Sequence, residues 1–123
     1  MGDNPVVSVA VGVSSSRFLR LVTGLAGVER IESSSYSSFA VVGKRFGYHW
    51  PRTTTVGLKQ TLSEQLALVA ERPDVFEVQF TAGGFGWVVV QLSGIGLDEL
   101  TELTYEAWRL SAPAELVEAN PLC

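Results

Sequence analysis

The side chains able to do chemistry are few and unevenly placed. His49 is the only histidine, and Cys123, the last residue, is the only cysteine. A hydrolytic Ser-His-Asp arrangement would have to use His49, and no Gly-x-Ser-x-Gly nucleophile elbow accompanies it. His49 therefore reads as an exposed or core-edge residue without a catalytic role. One cysteine allows neither an intramolecular disulfide nor a Cys-based metal site, and no carboxylate cluster stands out as a substitute. Gly83-Gly84-Phe85-Gly86 lies between two strand patterns. A phosphate-cradling loop must lead into a helix N-terminus, so this one reads as a hairpin turn and no cofactor is implied. Glu99, Glu102 and Glu106 fall on a helical pattern and read as a solvent-facing side rather than an acid/base pair.

Basic charge is what stands out. The chain carries a formal net charge of −4, but residues 33–63 hold Lys44, Arg45, Arg52 and Lys59 and no acid. Residues 1–32 sum to zero and residues 64–123 to −8, so the middle third is a basic island in an acidic protein. Tyr48 and Trp50 are interleaved with these cations, as in nucleic-acid-binding surfaces. Four cations neutralise few phosphates, however, and the overall acidity works against a polyanion, so a nucleic-acid partner is disfavoured.

The elements that would position these residues follow from periodicity. At 123 residues and 46% apolar composition the chain is one domain with a sizeable core. No apolar run is long enough to span a bilayer, and the lone cysteine favours a reducing, cytoplasmic setting. The run Val6 to Val13 lacks the basic start of a secretory signal and reads as a short strand or arm, so residues 1–13 are set apart from a domain over 14–118 and a tail over 119–123. Ser14-Ser15-Ser16 can cap a first helix with Phe18, Leu21, Val22 and Leu25 on its core side. Three alternating runs follow, through Phe39 and Val41, through Phe46, Tyr48 and Trp50, and through Thr54, Val56 and Leu58. Thr61-Leu62-Ser63-Glu64 fits a capping box opening a second helix with Leu62, Leu66 and Val69 on one face, stopping near Arg72-Pro73. Phe76, Val78 and Phe80 and then Trp87 to Leu92 supply two more strands, and Asp98 opens a last helix through Leu100, Leu103, Ala107 and Leu110. The predicted order is α-β-β-β-α-β-β-α, an α+β two-layer sandwich with a five-stranded antiparallel sheet, three helices on one face and the other face open.

Register decides what the open face displays. A two-residue Gly43-Lys44 loop, read as a type II′ turn, pairs Phe39 with Tyr48, and a three-residue Pro51-Arg52-Thr53 loop pairs Tyr48 with Val56. All large apolar residues, Tyr48 and Trp50 included, would then lie under the helices. The open face would read Val42, Arg45, Lys59, then Ala40, Gly47, Gly57, then Ser38, His49, Thr55, a strip of bare backbone edged with basic charge. The expected binding surface is Lys44, Arg45, Gly47, His49, Arg52, Thr55, Gly57 and Lys59.

Phe39 to Phe46, Leu58-Lys59, Arg72-Pro73, Gly86-Trp87-Val88-Val89-Val90 and Ala107-Trp108-Arg109-Leu110-Ser111-Ala112-Pro113, in this order and spacing, resemble the MmcQ/YjbR family. The resemblance runs from about Ser16 to Val117 and implies a five-stranded antiparallel sheet with helices on one side, similar to frataxin-like and secretion-chaperone-like domains. It also implies the family's DNA-binding label, and it brings no catalytic residues. Together the readings predict a non-catalytic binding module that engages a protein or small acidic ligand on the open sheet face, with DNA binding as the alternative and homodimerisation through that face compatible with both.

Overall fold

The computed structural model describes residues 11–122. Residues 1–10 of the expected arm over 1–13, and Cys123, lie outside them. The element order is α1 (Ser15–Thr23), β1 (Val28–Glu32), β2 (Ser37–Val41), β3 (Lys44–Trp50), β4 (Thr55–Thr61), α2 (Leu62–Glu71), β5 (Phe76–Ala82), β6 (Phe85–Gln91), α3 (Leu97–Arg109) and α4 (Ala114–Ala119), with a short 3₁₀ turn over Leu92–Gly94. The fold is α+β, but the antiparallel sheet has six strands, not five, in the order β1-β2-β3-β4-β6-β5, and the described residues form four α-helices, not three. The additional strand, Val-Glu-Arg-Ile-Glu, is an edge strand exposed along most of its length. Its three charged residues suit an edge that must resist pairing with other chains, and they hide the strand from a search for buried faces.

Local chemistry fixes the helices. The Ser14 side chain accepts from the Arg17 amide at the start of α1. The capping box of α2 forms as the sequence predicts, with Thr61 Oγ1 accepting from the Glu64 amide and Glu64 Oε1 accepting from the Thr61 amide. Phe18 and Val22 of α1 and Leu100, Ala107 and Trp108 of α3 are fully buried against Phe39, Val41, Phe46, Val56, Leu58, Val88 and Val90 of the sheet. Each such side chain contributes roughly 1.5–3 kcal/mol through burial. Trp108 also donates from Nε1 to the Ala26 carbonyl at 2.9 Å, tying α3 to the turn before β1. Gly12 and Val13 donate their amides to the Ile95 and Leu92 carbonyls, and Val13 joins the core. Among the described residues no helix is long and apolar enough to cross a membrane.

The core face of α2 differs from the expected one. Leu62 and Leu66 are 43% and 65% exposed, and Gln65 turns inward instead, with Leu68 and Val69 half-buried beside it. A break in the β5–β6 register at Gln79 causes this. Gln65 Nε2 donates to the carbonyls of Phe80 and Trp87 at 3.1 and 2.9 Å, supplying a donor where the ladder is irregular. Gly86 makes the approach possible, since a Cβ there would lie 2.7 Å from Gln65 Cβ. Two of the three expected solvent-facing acids of α3 are also paired, Glu99 with Arg72 and Glu106 with Arg109.

The β2–β3 connection is a two-residue turn at Val42-Gly43, not Gly43-Lys44. Both residues have positive φ, 48° and 77°, and Val41 pairs with Lys44, the geometry of a type I′ hairpin rather than type II′. The register then shifts between Phe39 and Ala40, with Phe46 as the extra residue, so that Phe39 pairs with Gly47, Ser38 with Tyr48 and Ser37 with His49. The next loop holds four residues, Pro51 to Thr54, rather than three, and brings Gly47 opposite Leu58 and Tyr48 opposite Gly57. A β-branched residue at positive φ is strained. Val42 is 67% exposed and gives up little packing. Val42→Asn is expected to raise the unfolding free energy by about 0.5–1 kcal/mol; a urea midpoint at or below that of wild type would contradict the turn assignment.

Candidate functional site

The sheet face opposite the helices is built in rows set by the register. Tyr48 and Trp50 of β3 lie there, with Thr55, Gly57 and Lys59 of β4 and Trp87 of β6. Thr55, Gly57 and Lys59 were expected on this face, but Tyr48 and Trp50 were expected under the helices; the one-residue slip moves those two outward and moves Gly47 and His49 inward. The Ala40-Gly47-Gly57 strip of bare backbone therefore does not form. The irregularity in β5 adds Phe80, which pairs with Trp87, and swings the Gln79 amide over Gly57.

The result is a layer of rings. Tyr48 stacks on Trp50 at 5.6 Å between centroids and 14° between planes. Tyr36 lies 6.1 Å from Tyr48 on its other side, and Trp87 bridges Tyr48 and Phe80 at 5.6 and 5.1 Å. Each pair contributes roughly 0.5–1.5 kcal/mol beyond area burial. Trp87 is only 6% exposed although no helix covers it; its aromatic neighbours bury it. Gly57 lets the layer lie on the backbone, since a Cβ would come within 2.4 Å of Gln79 Oε1 and 3.0 Å of Trp50 Cη2. Gln79 Oε1 is buried there without a hydrogen-bond partner among the described residues.

Three of the expected cations gather at one end of this layer. Lys59 follows the last β4 residue that pairs with β3. Its ammonium sits 4.1 Å from the Phe85 ring centroid and donates to Ser111 Oγ at 2.8 Å. Ser111 Oγ donates in turn to the Arg45 carbonyl. Burial lowers the Lys59 pKa, and the charge of Lys44 lowers it further. Lys44 and Arg45 are exposed at the start of β3. Arg52 lies beyond the other end of β3, where it shares a shallow depression with Ser35, Trp50 and Thr53. Thr55 is buried and bonded to Thr53. Of the eight expected residues, then, Arg45, Gly57 and Lys59 share the layer and its basic end, Lys44 stands at that end opposite Val41, and Gly47 and His49 belong to the helix side.

His49 is 3% exposed, packed on the Phe18 ring, with Nε2 2.9 Å from Ser15 Oγ. Burial lowers its pKa, and Arg30 lowers it further. A serine–histidine pair needs its imidazolium stabilised in the transition state, usually by a carboxylate. Arg30 presses on the ring with the opposite sign. The pair is thus poorly suited to proton abstraction.

No family model matches the chain, and no solved structure matches it. It is similar to the uncharacterized protein Rv2570 of Mycobacterium tuberculosis and the uncharacterized protein Mb2600 of Mycobacterium bovis, each 38% identical over 55 residues. The match covers 45% of this chain and 43% of each relative, less than half the length of either.

The direction of the His49 shift makes a stability prediction. The unfolded chain takes up a proton near the ordinary histidine value of about 6.5, and the folded chain resists it until lower pH. The stabilisation is fully present above that value and is lost as pH falls through it. The urea midpoint is expected to drop as pH falls below about 6.5, and His49→Gln should flatten the drop. An equal slope in both proteins would show that His49 does not carry it.

Proposed function

We propose that the chain is a non-catalytic binding module that holds its ligand, a protein or a small acidic molecule, on the open sheet face. The observation that carries this reading is the continuous aromatic layer of Tyr36, Tyr48, Trp50, Trp87 and Phe80 with Lys44, Arg45 and Lys59 at its edge. Flat rings give contact area at low conformational cost, and the neighbouring cations select for negative charge. Two exposed rings on the layer, Tyr36 at 36% and Phe80 at 38%, offer apolar surface that a partner would cover. The MmcQ/YjbR resemblance belongs to the same proposal. In its favour, the observed element order contains the expected one, with β1 and α4 added. The single cysteine favours a cytoplasmic setting, and a homodimer through this face is compatible with the reading.

One observation favours a second reading. Tyr48 and Trp50 point away from the core, so bases of a single-stranded nucleic acid can stack on them, with Lys44 and Arg45 beside the backbone. The family label points the same way, and the net acidity of the chain opposes it.

Tryptophan fluorescence separates the two. Titration with an acidic, aromatic-containing peptide should quench the signal, and Lys44→Glu with Arg45→Glu should weaken that binding at least about tenfold without changing the urea midpoint. Binding of oligo-dT that falls steeply between about 50 mM and about 200 mM salt would support the nucleic-acid reading instead. If neither ligand perturbs the fluorescence, or if the charge reversals leave binding unchanged, this face is not the site.

A further inference from the structure

On the helix side of the sheet, a cavity of about 450 Å³ opens between the start of α1, β1 and the serine-rich β1–β2 loop. His49 and Ser37 form part of its wall and are 3% and 4% exposed. Ser15 Oγ meets His49 Nε2 at 2.9 Å. Ser33, Ser34 and Ser35 add three more hydroxyl side chains, and Leu19, Tyr36 and Pro51 supply apolar wall. Arg30 also lines the space. Both of its polar contacts, to Ser37 Oγ at 3.4 Å and to Glu32 Oε2 at 3.2 Å, use Nε. Its two Nη groups have no recorded partner among the described residues. A guanidinium edge, an imidazole and several hydroxyls on one cavity form a donor set with more capacity than its own residues use.

We infer that this cavity is a binding site for a phosphate monoester, with Arg30 Nη, His49 and the Ser15 and Ser33–Ser35 hydroxyls around the phosphoryl oxygens and the organic group against Leu19, Tyr36 and Pro51. Three terminal oxygens match the number of donors better than the two of a carboxylate. The charged groups on the cavity wall are Arg30, which faces His49, and the exposed Glu32 of β1, whose carboxylate accepts from Arg30 Nε and leaves both Nη groups for the ligand. Without a ligand, Arg30 and burial hold the imidazole neutral; a dianion placed between them reverses the sign of the local field and favours the imidazolium. The α1 N-terminus adds the positive end of the helix dipole on the same side. Apart from Tyr36, which borders both, this site shares no residue with the aromatic layer and lies on the other side of the sheet from it.

His49 is the only histidine, so its ring resonances can be read without ambiguity. Titrating the full chain with phenyl phosphate, inorganic phosphate and benzoate, followed by the His49 ring signals, tests the assignment. Phenyl phosphate is expected to move these signals and to raise the His49 pKa by about one unit. Inorganic phosphate should bind more weakly, and benzoate more weakly again. Arg30→Gln should reduce phenyl phosphate affinity at least about tenfold and Arg30→Lys by less, with Ser15→Ala as a second variant on a different element. Leu66→Ala, at an exposed position of α2 away from the cavity, should leave affinity unchanged. Unmoved His49 signals at about 20 mM phenyl phosphate, a millimolar level that would still reveal weak binding, would overturn the assignment. So would undiminished affinity in both Arg30→Gln and Ser15→Ala, or equal affinity for benzoate.

Discussion

A turn with both central residues at positive φ joins β2 to β3, and the single residue added to β3 just after it sets the arrangement of both sheet faces. With Val42 and Gly43 in the turn, Val41 pairs with Lys44, and a single added residue at Phe46 then brings Gly47 opposite Phe39. That addition lets Phe46 stay in the core while the residues after it change sides. Because side chains alternate with period two, this one slip sends Tyr48 and Trp50 to the open face and His49 to α1. The irregularity at Gln79 does the same in β5, bringing Phe80 beside Trp87. Two local breaks in otherwise regular ladders thus assemble the aromatic layer.

The sheet is buried by two different means. Under the helices, aliphatic side chains and Phe18, Phe39, Phe46 and Trp108 make a conventional close-packed core. On the other face none of the described helices is present, and rings lie along the sheet and cover one another. An antiparallel sheet tolerates a solvated face, but this face is more apolar than water exposure alone requires. The glycine at 57 belongs to this scheme as the point where Gln79 and Trp50 press closest to the backbone. The same glycine reads as bare floor in the sequence and proves to be covered by the chain's own side chains.

Charge is distributed with equal economy between the faces. The basic island divides: Lys44, Arg45 and Lys59 edge the aromatic layer, and Arg52 stands beyond the far end of β3. The inward side holds Arg30 beside the buried His49. Arg30 sits on β1, a strand that the sequence pattern did not reveal because Val-Glu-Arg-Ile-Glu lacks a period-two alternation and lies at an exposed edge. The cavity it helps to form brings together α1, β1 and β3, segments separated by up to 34 residues along the chain in the Ser15–His49 contact.

The sequence by itself determined the α+β class, the α1 cap, the capping box of α2, the meander from Ser37 to Thr61 and the Gly83-Gly84 hairpin. Each depends on neighbours a few residues apart, where propensity and capping chemistry act directly. It also determined which β4 residues face outward, since Val56 and Leu58 alternate with small or polar partners on either register. Only the tertiary structure decided the side on which Tyr48, Trp50 and His49 lie. A two-residue turn at Val42-Gly43 or at Gly43-Lys44 leaves Tyr48 and Trp50 on the Phe39 side; the residue added at Phe46 reverses this, and the sequence carries no local signal for it. The choice is made by distant groups: Phe46 and Phe39 against α1 and α3, Gln65 against the freed carbonyls of β5 and β6, and Trp87 against Tyr48. A register is a property of two packed faces at once, and one strand's alternation cannot specify it.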